Sequence, residues 1–195
     1  MTKAERTKQF IIEQAAPIYN EKGIAGTNVD DVLEATKLTK GSIYSHFENK
    51  EDLSMQVSDY LLEKICSGIG QAMKRESSAK GKIFAYLDFN KTPLNTYIKG
   101  GCPIFNMAVE SDDNHSCVKS KVGDVMLNTQ KHFASILRAG IKNGEFNPSL
   151  DPEGYAFKMF AAIEGATIMC RSMNNEQPMR GLIESLKSEL ESYES

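Results

Sequence analysis

The segment from position 39 to 50 concentrates polar side chains that can bind an anion or the edge of a base. Lys40 carries a long cationic side chain, Tyr44 a phenol and His46 an imidazole. Groups of this kind donate hydrogen bonds to phosphate oxygens and to base edges. The chain contains no Gly-x-Ser-x-Gly elbow, phosphate-binding loop or His-Glu-x-x-His pair, which are common signatures of catalytic sites. The pattern therefore favours recognition over catalysis.

The charge of the chain is distributed unevenly. The formal net charge is −3, which argues weakly against a nucleic-acid partner because neutralising phosphates requires local positive charge. However, residues 1–50 hold seven Lys or Arg and seven Asp or Glu, against sixteen and nineteen in residues 51–195. The acidic excess thus lies outside the first quarter of the chain, where a DNA-facing surface is possible.

The composition and length indicate a folded globular protein. With 195 residues, of which 41% are hydrophobic and 25% charged, the chain can bury a sizeable core, as one large domain or as a small module plus a larger one. No apolar run approaches the roughly 18 residues of a membrane span, and the N-terminus leads into no apolar signal segment. We therefore expect no membrane partner and a cytoplasmic location.

The cysteines and one acidic segment suggest weaker hypotheses. The four cysteines are far apart and lack zinc-ligand spacing, so reduced thiols are expected. Cys102 and Cys117 could form a redox switch, but a buried structural cysteine is the commoner case. The run at 112–115, Asp-Asp-Asn-His, could bind a metal or simply be a solvated turn. No metal or other cofactor is expected.

The periodicity of apolar residues predicts an all-α fold. Ile11 and Ala15 lie on one face of a helix over residues 3–22, in which Pro17 predicts a kink and after which Gly23 predicts the end. No stretch alternates apolar and polar residues at strand spacing. Further helices are predicted over residues 50–75, 81–90, 116–143, 152–173 and 178–193, with a short one after the break at 100–103. Asn49 is the expected N-cap of the helix over residues 50–75.

Two short helices are predicted between residues 28 and 47. Asn28 is the expected N-cap of the first and Thr39 of the second, whose buried side would carry Ile43 and Phe47. Two short helices joined by about three residues form a helix-turn-helix, whose second helix can enter the major groove of DNA. The same geometry is common in proteins that never touch DNA, so spacing alone supports the two interpretations about equally.

Three segments of the literal sequence resemble the N-terminal domain of TetR-family repressors. They are residues 21–29 (EKGIAGTNV), 39–47 (TKGSIYSHF) and 49–53 (NKEDL). The resemblance covers residues 5–55, and the remaining helices match the family's plan of a larger, variable, all-helical regulatory domain. Because three motifs occur in register, chance is a poor explanation.

The resemblance implies a division into two domains and a function. An N-terminal helix-turn-helix DNA-binding domain would occupy residues 1–48, and a larger helical effector-binding and dimerisation domain residues 49–195. The protein would be a transcriptional repressor that binds a pseudo-palindromic, double-stranded DNA operator as a homodimer and is released by a small-molecule effector. The alternatives are an all-helical protein-interaction module with a purely structural helix-turn-helix and, with less support, a helical-bundle enzyme.

Transferred residue by residue, the resemblance assigns the DNA contacts. Lys40 would reach bases or phosphates, Gly41 would allow close backbone approach, and Lys50 would add charge beside the amides of a helix start. The threonines of the set could instead be only caps, and Tyr44 could pack against neighbouring helices. Lys37 stands where the family usually has glycine, which predicts a left-handed backbone there at a cost of about 1 kcal/mol. The predicted DNA-binding residues are Thr27, Thr39, Lys40, Gly41, Tyr44, Ser45, His46 and Lys50.

The resemblance also implies that the last two long helices pair with their copies in a second subunit. Small residues would let these helices approach closely, and a leucine stripe would supply apolar area. The alternative is that both helices only complete a monomer's core. The predicted interface residues are Ala161, Ala162, Gly165, Ala166, Leu182, Leu186 and Leu190.

A small-molecule pocket among the middle helices is a further implication of the resemblance. Its occupant would favour a conformation that holds the two recognition helices at the wrong separation for DNA. For each candidate residue, ordinary core packing is the commoner role, and the sequence indicates no ligand class. The candidate pocket residues are Phe84, Tyr97, Phe105, Met107, Met126, Phe133 and Phe160.

Overall fold

The structure, a computed structural model, describes residues 1–113 and 116–195. These residues form helices with no strand among them, which confirms the all-α prediction. None of the described helices is both long and apolar enough to cross a membrane. In chain order the helices are α1 (Lys3–Gly26), α2 (Val29–Thr36), α3 (Lys40–Tyr44), α4 (Lys50–Met73), α5 (Ala79–Phe89), α6 (Pro103–Ser111), α7 (Ser116–Lys142), α8 (Pro152–Met173) and α9 (Gln177–Glu191).

The chain divides into two compact units. The first consists of Met1–Ile65 and Ile98–Gly123, and the second of Cys66–Tyr97 and Asp124–Ser195. The first unit therefore holds the helix-turn-helix together with α6, which comes much later in the sequence. The boundary predicted after residue 48 lies between α3 and α4, and a division of function at that point stays a prediction.

The first helix is amphipathic and breaks near its end. Ile11 and Ala15 are buried, as the periodicity predicts. The non-helical dihedral angles inside α1 are at Gly23 (φ 77°, ψ 173°) rather than at Pro17. The kink expected at Pro17 does not appear as non-helical dihedral angles at that residue. The reason is that the φ angle imposed by a proline ring is itself close to the helical value. The change of backbone course falls where the sequence predicts the helix to end.

A carboxylate from α6 holds the break at Gly23. The backbone N–H groups of Ile24 and Ala25 donate to Glu110 Oε2 and Oε1 at 2.8 and 2.7 Å. A Cβ at residue 23 would lie 2.8 Å from Glu110 Oε2, so the glycine supplies both the positive φ and the space for the carboxylate. These contacts attach α6 to the C-terminal end of α1.

A short turn joins α2 to α3. Lys37 has φ 57° and ψ 24°, which confirms the left-handed conformation predicted from the family's usual glycine. Its N–H donates to Leu33 O at 2.8 Å, as is common where a helix ends in a left-handed residue. Thr39 Oγ1 then accepts from Ser42 N at 3.2 Å and so caps α3. The two ends of the turn are thus set by local hydrogen bonds.

In the second unit, α8 and α9 pack along one another. The hydroxyl of Tyr155 on α8 donates to Leu186 O on α9 at 2.7 Å, and burial raises the pKa of this phenol. Leu186 and Leu190 expose only 4% and 0% of their surfaces. These two leucines of α9 are therefore directed at the core of their own chain.

The left-handed Lys37 leads to a stability prediction. Lys37→Gly removes a folded-state cost of about 1 to 2 kcal/mol but adds about 0.5 to 1 kcal/mol of unfolded-chain entropy. We expect a net rise of about 0.5 to 1 kcal/mol in the free energy of unfolding, measured by urea denaturation of the full chain. Glu34→Gly, at an exposed helical position of α2, is the matched control and should lose about 1 kcal/mol. A lower free energy of unfolding for both variants would contradict the prediction.

Removing the Glu110 carboxylate should destabilise the first unit. Glu110→Ala leaves the amides of Ile24 and Ala25 without this acceptor, at an expected cost of about 1 to 3 kcal/mol. Glu110→Gln keeps an acceptor oxygen and should lose less. Glu63→Ala, at an exposed position of α4, should change the free energy of unfolding by less than about 0.5 kcal/mol. Equal urea midpoints for Glu110→Ala and Glu63→Ala would show that the carboxylate does not hold the break.

Candidate nucleic-acid interface

The outer side of α3 presents polar groups to solvent. Thr39, Lys40, Gly41 and Ser45 are exposed, and Tyr44 exposes 36% of its surface. The set combines a cation, two aliphatic hydroxyls and a phenol, which are groups that contact phosphates and base edges. The second helix of the helix-turn-helix therefore has the surface chemistry of a recognition helix.

The inner side of α3 is anchored in the core. Ile43 and Phe47 expose 0% and 2% of their surfaces. The turn after α3 is closed by His46 N, which donates to Ile43 O at 2.9 Å, and by Ser45 Oγ, which donates to Ser42 O at 2.7 Å. A helix of 5 residues is too short to be stable by itself in water. The two buried side chains therefore decide which side of α3 faces outward.

Three of the predicted DNA-binding residues lie deeper in the protein. His46 and Lys50 are half-buried. Thr27 is fully buried, and its Oγ1 donates to Gly23 O at 2.6 Å. A buried hydroxyl that donates to a backbone carbonyl is not placed to donate to a phosphate in solvent. The structure thus agrees with the alternative in which Thr27 serves the end of α1, and we remove it from the contact set.

The start of α4 is fixed by a network of local hydrogen bonds. Asn49 Oδ1 accepts from Asp52 N at 2.8 Å, which confirms the predicted N-cap. Asp52 Oδ2 accepts from Glu48 N at 3.0 Å, one residue earlier than in a standard capping box. Hydrogen bonds from the Gln56 side chain and the Glu48 backbone hold the pKa of Asp52 below its ordinary value. The carboxylate therefore stays ionised at neutral pH and keeps the entry into α4 in place.

Lys8 on α1 is a further cation beside the helix-turn-helix that the sequence did not single out. Its Nζ lies 5.2 Å from the centre of the Phe47 ring, a distance typical of a cation–π contact. Its position three residues before the buried Ile11 places Lys8 on the apolar side of α1. This position could have indicated the contact, because a cation on the apolar side of a helix usually has a partner. Periodicity could not indicate which ring that partner is.

Two of the predicted dimer residues face the core of their own chain instead. Leu186 and Leu190 are buried within the second unit, so these two side chains are not available to a second subunit. We therefore remove both from the predicted interface. Of the others, Ala161 is exposed, and the half-buried ones are Ala162, Gly165, Ala166 and Leu182.

The outward side of α8 is apolar. Phe157, Ile168, Met169 and Met173 expose 60%, 42%, 59% and 51% of their surfaces. Together with Ala161 they recur at helical spacing. Large apolar side chains exposed together on one surface commonly mark a protein interface. We call these five residues the α8 outer face.

The predicted pocket residues are spread over both units. On α6 of the first unit, Phe105 is half-buried and Met107 is buried. In the second unit, the Phe84 ring lies 4.9 Å from Lys187 Nζ, and Tyr97 exposes 52% of its surface. A pocket role for these residues stays a prediction. The rest of the set is in the second unit and consists of the half-buried Met126 and the buried Phe133 and Phe160.

Phe133 also lines a cavity of about 380 Å³ in the second unit. One wall of this cavity comes from the last turns of α4 and the other from α7. The α7 wall includes Val125, Asn128, Thr129 and His132, none of which is among the predicted pocket residues. A helical stripe of apolar residues shows which side of a helix is inward, but it does not show where packing leaves space.

The cysteine and metal hypotheses stay open. The structure has none of the four cysteines in a disulfide, and a redox role for Cys102 and Cys117 stays a prediction. Of the acidic segment, Asn114 and His115 lie outside the described residues. The Asp112 carboxylate pairs with Lys119 Nζ at 2.9 Å, so a described carboxylate of this segment already has a cationic partner.

Fold and site together define a class of protein. A short helix with a buried inner side and a polar outer side follows another helix across a tight turn, and a second all-helical unit accompanies it. This is the arrangement of a helix-turn-helix DNA-binding protein with a helical regulatory part.

Comparison with known proteins identifies the family. The pattern described as "Bacterial regulatory proteins, tetR family" matches residues 11–56, and "Tetracyclin repressor-like, C-terminal domain" matches residues 82–186. The chain belongs to the TetR family and is a DNA-binding transcriptional regulator, not an enzyme. The interaction-module and enzyme alternatives find no support among these relatives.

Individual relatives extend over nearly the whole chain. A TetR-family regulator from Cytophaga hutchinsonii is 36% identical, with a TM-score of 0.89 and coverage of 100% of this chain and 98% of that chain. One from Chloroflexus aurantiacus is 32% identical, with a TM-score of 0.91 and coverage of 96% of both. The HTH-type transcriptional repressor DhaR from Mycobacterium sp. is 24% identical over 172 residues, 88% of this chain and 86% of the relative.

Proposed function

We propose that this regulator is a repressor that binds a pseudo-palindromic operator as a homodimer and leaves it when a small molecule binds. The observation that carries the DNA-binding site is the polar outer side of α3 on its buried anchor of Ile43 and Phe47. The name of the relative DhaR, a repressor, supports repression as the direction of control. Since the proposed partner is double-stranded DNA, the proposal keeps the cytoplasmic location expected from the sequence.

The proposed DNA contacts follow from the exposure of each side chain. Lys40, exposed in the first turn of α3, reaches base edges or phosphates, and Tyr44 donates its hydroxyl to a phosphate oxygen. Gly41 has open space where a Cβ would be, which lets the DNA backbone come close. Two hydroxyls, an imidazole and a lysine at the edge of the surface make the flanking contacts. They belong to Thr39, Ser45, His46 and Lys50.

The proposed dimer forms through the α8 outer face. A two-fold axis brings the same face of both subunits together, and the small Ala161 in its middle lets the helices approach. An isologous dimer of this kind presents two recognition helices about 34 to 36 Å apart, the spacing of successive major grooves on one side of DNA. The operator is accordingly expected to be two inverted half-sites.

Release by a ligand requires a difference in affinity between two conformations. A small molecule can dissociate the complex only to the extent that it binds the non-operator conformation more tightly. Helix α4 starts directly after the helix-turn-helix and ends in the cavity wall of the second unit. It is therefore the proposed covalent connection between ligand and DNA contacts.

The proposed DNA contacts predict a footprint that single changes on α3 weaken. Footprinting on the DNA that flanks the protein's own gene should reveal a protected, palindrome-like site whose occupancy falls with salt. Lys40→Ala should lower the affinity by about tenfold or more. Tyr44→Phe, which loses only the hydroxyl, should lower it by a smaller factor.

The matched control is Lys131→Ala, an exposed lysine on α7 in the second unit. It removes the same charge from the chain and should leave the footprint unchanged, which separates local contact from net charge. Absence of any protected site, or equal affinities for Lys40→Ala, Tyr44→Phe and the unsubstituted protein, would refute the assignment.

The α8 outer face predicts that one charge on it disrupts the dimer. Phe157→Glu should bury a carboxylate in an apolar interface, which is costly without a partner, and should convert the protein to a monomer at micromolar concentration. Leu127→Glu alters a side chain that is 49% exposed on α7 and should leave the dimer intact. Sedimentation equilibrium measures both. A monomeric unsubstituted protein, or a Phe157→Glu dimer of full strength, would count against this interface.

A further inference from the structure

The cavity of the second unit has the size of a small-molecule site. Its volume is about 380 Å³, within the range of about 300 to 1,000 Å³ common for ligand pockets. Residues Cys66, Ile69, Gly70 and Met73 from α4 form one wall, and residues of α7 form the other. The cavity lies entirely within the second unit.

The floor of the cavity is apolar and its rim is polar. Ile69, Met73 and Phe133 expose 9%, 4% and 1% of their surfaces, so the deep part offers hydrocarbon and an aromatic ring. Asn128 and His132 are exposed and supply hydrogen-bonding groups at the rim. An apolar pocket with a few polar groups is the usual arrangement for orienting a small ligand.

The cavity contains little that could balance a ligand's charge. None of the described lining residues is Lys, Arg, Asp or Glu. Partial burial raises the pKa of the Cys66 thiol, so this side chain lines the wall as a neutral group at pH 7. Moving an ion against an apolar floor without a counter-charge is costly.

We propose that this cavity is the effector site and that it takes an uncharged, largely apolar small molecule with a hydrogen-bonding group. The proposal rests on the ligand response proposed above and adds to it the place and the chemical class of the ligand. The apolar part of the ligand packs on Ile69, Met73 and Phe133, and its polar group meets Asn128 or His132 at the rim.

Two fluorescent probes with the same ring system test the chemical class. N-phenylnaphthylamine is uncharged and has one N–H donor, whereas anilinonaphthalene sulfonate carries an added sulfonate. Titrated into the full-length protein, the uncharged dye should bind saturably, one per chain, and at least about tenfold more tightly than the sulfonate. Equal or tighter binding of the sulfonate would overturn the assignment of an uncharged ligand.

A substitution at Gly70 tests whether the ligand binds in this cavity. Gly70 lies in the cavity wall, and a Cβ there would meet no described atom within 4 Å. Gly70→Leu should therefore fill the cavity without disturbing the core and weaken the uncharged dye by about tenfold or more. Gly123→Leu is the matched control. Gly123 also has open space where a Cβ would be, but it lies about 200° around α7 from Val125, which lines the cavity. Unchanged dye binding in Gly70→Leu would overturn the location.

Operator binding separates failure of this inference from failure of the proposed function. Without dye, the unsubstituted protein, Gly70→Leu and Gly123→Leu should all give the same footprint. With saturating uncharged dye, the footprint should disappear for the unsubstituted protein and Gly123→Leu but persist for Gly70→Leu. A footprint that survives the dye in all three would refute the effector site while leaving operator binding in place. A missing footprint in the absence of dye would instead refute the proposed operator site.

Discussion

The burial of Ile43 and Phe47 is the interaction on which the DNA-binding surface depends. The recognition helix has 5 residues and cannot hold its shape through its own hydrogen bonds. Because both side chains are almost completely buried, α3 has one orientation within the first unit. Its polar residues therefore face solvent. The Thr39 cap and the left-handed Lys37 set where the helix starts, but they act on a helix that the buried pair holds.

The first unit is completed by a segment from far along the chain. Glu110 accepts hydrogen bonds from two amides that the break at Gly23 releases, and Asn106 Nδ2 donates to Asn20 O at 3.0 Å. The DNA-binding unit in the structural sense is therefore larger than the helix-turn-helix motif. A carboxylate on α6 does for the residues after the break at Gly23 what an N-capping side chain does for the first residues of a helix. The contact ties the end of α1 to a helix of the family's C-terminal region.

Helix α8 has one side in the core of its own chain and another side that we propose for the dimer. Its inner side, with Met159 and Ile163 fully buried, packs in the core of its own chain, while the α8 outer face is exposed and apolar. Leu186 and Leu190 of α9 are buried in that same core. Apolar periodicity shows that a side of a helix is buried somewhere, but burial against the same chain and burial against a partner give the same pattern.

The sequence by itself determined the features whose causes are local. The caps at Thr39 and Asn49, the left-handed Lys37 and the helical course of the chain depend on residues a few positions apart, and the structure bears them out. Tertiary structure alone decided the Glu110 contact across 86 positions, the burial of Thr27, the inward direction of Leu186 and Leu190, and the place of the cavity. Each of these depends on which distant surfaces meet and how completely they fill space. A linear pattern indicates which side of a helix is apolar but not what lies against it.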